Sequence, residues 1–175
     1  VISTVPSNNS TGVALNASLS ATFSESVTLV GANKLYITNT ASPATPVATV
    51  DLSTVSISGA TASFPLPAGL KYSTVYSVTF DPNSFKTVSD GGTFSLLTAT
   101  GWQFTTRSAP AISATTPTNN GTAVAINTSL AITFSESVTL IGANKLYVTK
   151  TASPATPVAT IDLSTASLSG NTATF

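Results

Sequence analysis

Apolar and polar residues alternate along much of the chain, in short runs that are separated by turn-forming residues. The clearest run is 75–80, in which Tyr76, Val78 and Phe80 occupy every second position. A period of two is typical of a β-strand that buries one face. The pattern therefore predicts a strand with these three side chains in the core.

Similar runs predict about eight short strands in the first 107 residues, and Phe23 is expected in their core. The runs lie at 1–6, 19–24, 34–38, 47–52, 55–57, 61–64, 75–80 and 102–106. No apolar pattern holds a 3.6-residue period over three turns, so helix is predicted to be short or absent. Short strands with Gly, Pro and Asn turns favour an all-β fold, an antiparallel β-sandwich of immunoglobulin-like type.

An internal repeat organises the whole chain. Residues 22–36 return almost unchanged as 133–147, and the match extends over 1–64 and 112–175 with about 45 of 64 positions identical. A spacing of 111 residues is the size of a domain. We predict tandem sandwiches: a first repeat at 1–107, a linker at 108–111 stiffened by Pro110, and the N-terminal part of a second repeat at 112–175.

The second copy ends at the equivalent of Phe64, without counterparts of the runs at 76–80 and 102–106. Those runs are expected to flank 145–149, which would otherwise expose an apolar edge. Two explanations stay open. Either the chain is an excerpt of a longer array, or a neighbouring copy supplies the missing strands by β-strand addition.

Charge is unusually scarce. Lys and Arg number six, Asp and Glu number six, and together they make 7% of the chain. Ser and Thr supply roughly a third of the residues instead, which predicts a neutral, hydroxyl-rich exterior. Because no basic cluster exists, the composition argues against nucleic acid as a partner and against an anionic membrane surface.

Cys, His and Met are all absent from the sequence. Without Cys there are no disulfides or thiolate metal sites, and without His the commonest general base and metal ligand is missing. We therefore expect no enzymatic activity and no cofactor. The missing Met and the absence of a long apolar run suggest that any signal peptide or anchor lies outside these residues, with no membrane insertion in this segment.

Several short motifs resemble the bacterial Ig-like domain of surface-layer proteins, large adhesins and extracellular filaments. The motifs are Val13-x-x-Asn16, Leu19 to Val27 with Phe23-Ser24-Glu25, Leu70-x-Tyr72-x-x-x-Tyr76-x-Val78, and the closing Phe104-Thr105-Thr106. The resemblance spans 1–107 and returns from 112. It implies an extracellular, cell-surface spacer or lattice-forming module and specifies no ligand. The turn at 90–92 and the insertion-like 93–101 depart from the usual pattern.

One carboxylate follows the core phenylalanine in each copy: Glu25 in the first and Glu136 in the second. We expect them to face solvent or to bind nearby backbone amides. Lys34, Asn33 and Glu25 are also the residue types of a self-formed Lys–Asn isopeptide bond. That chemistry needs a buried lysine beside a carboxylate, a geometry that sequence alone does not reveal.

Turns at 81–84 and 89–92 carry Asp81 and Asp90, whose oxygens could contribute to a calcium site. Asp and Asn in turns more often form local hydrogen bonds, so local bonding is the expectation and calcium the alternative.

The aromatic residues offer a second alternative, a sugar-stacking platform built from Trp102, Tyr36, Tyr72 and Tyr76. The alternation favours packing in the core instead. Tyr72 or Tyr76 is also a candidate corner tyrosine, with its hydroxyl bonded to a loop carbonyl.

Five asparagines fit the N-glycosylation pattern, although chance matches are common in a chain so rich in Ser and Thr. They are Asn8, Asn9, Asn16, Asn120 and Asn127.

Together these observations predict a structural repeat of an extracellular filament, surface layer or adhesin stalk, with neighbouring copies as partners. The alternative is a carbohydrate-binding accessory domain of a secreted enzyme, with cell-surface glycans as partners.

Overall fold

The computed structural model describes residues 1–65, 68–93, 101–141 and 144–175. The chain divides into two compact units, Val1–Ala109 (unit 1) and Pro110–Phe175 (unit 2).

Unit 1 is built from short strands of three to six residues. Its described residues form β1 (Ser3–Val5), β2 (Ser10–Val13), β3 (Leu19–Thr22), β4 (Val27–Leu29), β5 (Lys34–Asn39), β6 (Ala48–Asp51), β7 (Ser56–Ser58), β8 (Thr61–Phe64), β9 (Val75–Phe80), β10 (Phe85–Thr87) and β11 (Gln103–Thr106). A single 3-10 turn, Leu52–Thr54, lies between β6 and β7.

These strands form two sheets and a small ribbon. The first sheet has the order β1-β3-β8-β7 and the second has the order β2-β11-β9-β5-β6, while β4 pairs with β10. Neighbours are antiparallel except for β2, which runs parallel to β11. The all-β prediction with immunoglobulin-like sheets is confirmed.

The core of unit 1 contains most of the side chains that the sequence pattern predicted. Phe23, Tyr76 and Val78 are buried, and Phe80 is half-buried against the core. Burial does not alternate strictly along β9, since Ser77 is buried as well. The four largest fully buried side chains all come from the second part of the unit: Trp102, Tyr76, Phe85 and Phe104. The second part of unit 1 therefore supplies the largest side chains of its core.

Unit 2 has fewer strands. Its described residues form β12 (Ile112–Thr116), β13 (Ala131–Phe134), β14 (Lys145–Lys150), β15 (Ser153–Asp162), β16 (Ser167–Ser169) and β17 (Thr172–Thr174), with a 3-10 turn at Leu163–Thr165. The order β12-β13-β17-β16 repeats the first sheet of unit 1. The second sheet is reduced to β14 and β15.

The structure corrects two expectations about the strands. The ribbon of β4 and β10 was not predicted, because each is only three residues long and each depends on the other for pairing. The run at 102–106 does not flank β5 directly: β9 lies between them. Most of the insertion-like 93–101 lies outside the described residues.

The open edge of the second unit

The internal repeat allows the same core positions to be compared in two surroundings. Ten buried residues of unit 1, from Leu19 to Phe64, have counterparts in unit 2. Only the alanine, Ala62 in unit 1 and Ala173 in unit 2, is buried in both. The other nine counterparts are half-buried: Leu130, Ile132, Phe134, Val138, Leu146, Val148, Ile161, Leu163 and Phe175.

Loss of burial is accompanied by loss of strands. Residues 121–124 correspond to β2 and residues 138–140 correspond to β4, yet neither segment is a strand in unit 2. In unit 1 these strands pair with β11 and β10. The 175 residues hold no second copy of the segment that contains β10 and β11.

β14 has one paired side and one open side. Its counterpart β5 lies between β6 and β9, whereas β14 pairs with β15 alone among the described residues. In unit 1 the carbonyl of Lys34 accepts from the amide of Asp81 at 3.0 Å, so the backbone groups of Lys34 point to the side of β5 on which β9 lies. Backbone groups alternate in direction along a strand. The main chain of Lys145, Tyr147 and Thr149 therefore faces the open side.

Apolar side chains are exposed around this open edge. Tyr147 is 57% exposed, and Ile141, just before the strand, is 77% exposed. The counterpart of Tyr147 in unit 1 is the half-buried Tyr36, whose hydroxyl donates to Asp81 Oδ1 at 3.0 Å. Among the described residues, the open side of β14 thus has no strand beside it and is bordered by exposed apolar side chains.

Asp81 connects the end of β9 to β5 in unit 1. Its Oδ2 accepts from the amide of Lys34 at 2.9 Å, and its own carbonyl accepts from the hydroxyl of the buried Ser84 at 2.6 Å. The hydrogen bond to Asp81 raises the pKa of Tyr36 above its usual value, with smaller contributions from burial and from the negative charge. Both carboxylate oxygens of Asp81 are engaged within the protein.

Asp90 and Glu25 line a cleft of about 420 Å³ at one end of unit 1. Asp90 accepts from the hydroxyl of Thr87 and from the amide of Gly92, and these bonds hold the pKa of its carboxyl below the usual range. Glu25 accepts from the hydroxyl of Ser89 at 2.6 Å. The bonds of Asp90 are local, whereas Glu25 is bonded to a residue 64 positions away. No group of three or more acidic side chains that could hold a metal ion is found in the described residues.

The residues considered for an isopeptide bond have separate partners. Lys34 is exposed, and the side-chain amide of Asn33 donates to the carbonyl of Val30 at 2.8 Å. Glu25 is bonded to Ser89. An exposed lysine lacks the desolvated setting that the reaction requires.

Two of the four aromatic residues are core residues, as the alternation predicted. Trp102 is fully buried and its indole N–H donates to the carbonyl of Pro6 at 2.9 Å. Tyr76 is 1% exposed and is the corner tyrosine. Its hydroxyl accepts from the backbone amide of Lys71 at 2.9 Å, whereas the sequence predicted a bond to a loop carbonyl. Tyr72 is 37% exposed, with the guanidinium of Arg107 above its ring at 5.7 Å.

The glycosylation candidates lie on the surface. All five asparagines of the glycosylation pattern are exposed, and two of them, Asn9 and Asn120, adopt positive φ in turns. Asn8 Oδ1 accepts from the amide of Gln103 at 2.8 Å. Glu136 is half-buried.

The lysines at both ends of β14 were not singled out by the sequence. Lys145 and Lys150 frame the open edge, whereas β5 has Asn39 at the position of Lys150. Alignment of the two copies could have revealed Lys150, because it replaces Asn39 inside a nearly identical segment. Lysine on an exposed edge strand limits indiscriminate pairing.

The arrangement of the sheets agrees with the comparison to known families. The family model of the bacterial Ig-like domain matches residues 1–106 and again residues 107–175. The chain therefore belongs to the bacterial Ig-like domain family. The two matched segments are adjacent in the chain, and members of the family are generally non-catalytic modules of bacterial surface or extracellular proteins.

No curated protein and no solved structure shows significant similarity to the chain. In the described residues, no helix is long and apolar enough to span a membrane.

Proposed function

We propose that this chain is a structural module of an extracellular assembly: a length of a cell-surface filament, surface layer or adhesin stalk. The observation that carries the proposal is the repetition of the immunoglobulin-like sequence along the chain, with two adjacent matches to the same family. Repeated domains of this size extend a protein by regular steps, which suits a spacer.

The use of the polar and aromatic side chains supports this proposal. Three of these side chains form hydrogen bonds that hold unit 1 together. Trp102 bonds to Pro6, Tyr76 to Lys71, and Asp81 to Lys34 at the end of β5. Side chains that would mark a binding platform or a reactive site are thus part of the framework. A function that depends on shape and repetition fits such a molecule better than one that depends on a reactive site.

The exterior supports association between modules. A net charge of zero and a charged fraction of 7% leave little electrostatic repulsion between neighbouring copies. Hydroxyl groups of Ser and Thr form hydrogen bonds with similar surfaces without a charge penalty. The partners we propose are accordingly neighbouring copies or repeats of the same kind of chain.

Localisation tests the proposal. An antibody raised against the chain, applied to intact bacteria that produce it, is expected to place gold label on the outer surface in electron micrographs. Brief protease treatment of the intact cells should remove that label, while a cytoplasmic marker stays protected. Label that is seen only after permeabilisation would contradict an extracellular function.

Negative-stain microscopy of the released material tests the finer part of the proposal. We expect ordered filaments, lattices or beaded strings with a regular spacing. A monodisperse globular particle at high concentration, confirmed by solution scattering, would argue against an assembly module.

A further inference from the structure

We propose that Asn120 is a site of spontaneous modification, at which the chain deamidates through a cyclic imide formed with Gly121. The reaction needs only water and does not depend on the proposed function. Asn120-Gly121 is the sole Asn-Gly pair of the sequence, and Asp90-Gly91 is the sole Asp-Gly pair. These two pairs are the candidates for imide formation, and their surroundings distinguish them.

The reaction joins two neighbouring groups of the chain. The backbone nitrogen of Gly121 attacks Cγ of Asn120, so an N–Cγ bond forms and the bond from Cγ to the side-chain nitrogen breaks. That nitrogen leaves as ammonia and takes the proton of the Gly121 amide. Water then opens the imide ring at either carbonyl, which yields aspartate or isoaspartate. Glycine favours the attack because no Cβ shields its nitrogen.

Asn120 lies in an exposed turn. Its φ is +60°, and the amide of Gly121 donates to the carbonyl of Thr118 at 2.9 Å. Asn120 and Gly121 are both exposed. Within the part of the chain that the structure describes, no hydrogen bond holds the side chain of Asn120. The side chain can therefore rotate toward the Gly121 nitrogen when the single turn bond opens, and short exposed turns open readily.

Unit 1 contains the same turn and shows that its exposure is a property of the fold. There the amide of Ser10 donates to the carbonyl of Ser7 at 3.0 Å, and Asn9 has a φ of +62°. Asn9 is exposed although its own amide is bonded to Gln103 of β11. The attacking residue is Ser10 in this turn and Gly121 in the other. Because the side chain of Ser10 hinders the attack, Asn9 is a built-in control.

Asp90 is held in a form that resists the same reaction. Its Oδ1 accepts from the amide of Gly92 at 2.9 Å and from the hydroxyl of Thr87. These hydrogen bonds lower the pKa of the Asp90 carboxyl, so the group is an ionised carboxylate at neutral pH. A carboxylate resists attack by an amide nitrogen, because its carbon is a poor electrophile. We therefore expect Asp90-Gly91 to stay unmodified.

Deamidation changes the charge of a chain that is neutral when unmodified. The chain has six basic and six acidic residues, so one new carboxyl makes seven acidic residues and changes the net charge from zero to −1. In the isoaspartate product the backbone also gains the former side-chain methylene. The reaction thus places a negative charge and a longer backbone at one defined turn of an otherwise neutral surface.

Hydroxylamine gives the direct test, because it cleaves a chain at a cyclic imide. The full 175-residue chain, produced without glycosylation so that the Asn120 nitrogen is free to leave, is treated under native conditions and analysed by mass spectrometry. We expect two fragments, 1–120 and 121–175. The urea-unfolded chain supplies the rate without the turn. Cleavage of the unfolded chain alone, or equal cleavage after Asp90, would overturn the proposal.

Matched substitutions test the part played by glycine. Gly121→Ser gives unit 2 the residue of unit 1, and Ser10→Gly does the reverse. After prolonged incubation, isoaspartate at position 120 should fall about 10-fold or more in the first variant, a difference of about 1.4 kcal/mol in the barrier. In the second variant, isoaspartate should appear at Asn9. Unchanged isoaspartate at both positions would overturn attack by the Gly121 nitrogen.

Discussion

At the scale of single residues, unit 1 is held together by polar side chains that reach over short loops to the backbone. Thr106 is 2% exposed, and its hydroxyl donates to the carbonyl of Lys71 at 2.7 Å and accepts from the amide of Thr74 at 2.9 Å. Tyr76 accepts from the amide of Lys71 in the same loop. β9 and β11 thus both anchor the loop that precedes β9.

Removal of one hydroxyl tests this anchor. Tyr76→Phe deprives the Lys71 amide of its partner in a part-buried position, so we expect unit 1 to lose about 1–2 kcal/mol of unfolding free energy. The measurement is urea unfolding followed by the fluorescence of Trp102, the sole tryptophan and a residue of unit 1.

The control is Tyr72→Phe, which removes a hydroxyl from a more exposed ring and should change the free energy by less than about 0.5 kcal/mol. Equal effects of the two substitutions would show that the corner hydrogen bond does not stabilise the unit.

Some residue-scale contacts recur in both units because they are local. Asp51 Oδ1 accepts from the amide of Ser53 at 2.9 Å, and Asp162 accepts from Ser164 at the same distance. Hydrogen bonding to these serines lowers the pKa of both carboxyl groups from the usual 3.8. A carboxyl with a lowered folded-state pKa stabilises the fold above about pH 4. Protonation at lower pH removes that contribution.

At the scale of elements, identical sequences behave differently according to their neighbours. Residues 40–49 and 151–160 are the same ten residues. In unit 1 most of this segment is a loop, whose Thr40 amide donates to the carbonyl of Val75 in β9 at 3.1 Å. In unit 2, where no β9 counterpart is present, the segment belongs to the longer strand β15.

Matched truncations measure what the neighbouring strands contribute. Leu35→Ala, in the covered β5, should cost unit 1 about 2–5 kcal/mol, the usual range for a fully buried leucine. Leu146→Ala, at the same position of β14, should cost unit 2 less than about 1 kcal/mol, because the side chain is already half-exposed.

Native-state hydrogen exchange in increasing urea reports both units in one sample. Similar losses at the two positions would mean that Leu146 is covered in solution, and the open edge would then be absent.

Sequence reasoning identified the strands that carry their own signal. β5 and β9 alternate cleanly, and both were predicted within one residue of their observed ends. β4 and β10 carry no such signal, since a three-residue strand is defined by its partner and not by its own pattern. The sequence left two candidates for the corner tyrosine, Tyr72 and Tyr76. The hydrogen bond from the Lys71 amide to the Tyr76 hydroxyl identifies Tyr76.

At the scale of the whole molecule, the two units differ in how much of a sandwich each contains. Unit 1 joins a first half, which contributes β1 to β8, to a second part that contributes β9 to β11 and the largest core side chains. Unit 2 has the first half alone within these 175 residues. Unit 2 has the same core positions as the first half of unit 1, but the side chains at most of these positions are less buried.

An extended chain tests this interpretation. Residues 65–107, appended as a second copy after Phe175, should convert 121–124 and 138–140 into strands and bury the nine half-buried core positions. Calorimetry should then show a further cooperative transition, with an enthalpy of about 0.7 kcal/mol for each residue that becomes ordered.

The control extension carries serine at the positions equivalent to Tyr76, Val78 and Phe80. It should add little enthalpy, because it lacks the apolar face. An equal gain from both extensions would show that chain length alone, and not the β9 pattern, completes the unit.

The sequence by itself determined the period of 111 residues, the strand alternation, the turns and the local caps, since each of these depends on neighbours a few residues away. Tertiary structure alone decided which of two nearly identical halves is buried. Burial depends on a partner surface: Phe64 is 3% exposed beneath the rings of Phe80 and Trp102, and Phe175, its counterpart, is half-buried without them. Contacts between distant strands cannot be read from either half alone.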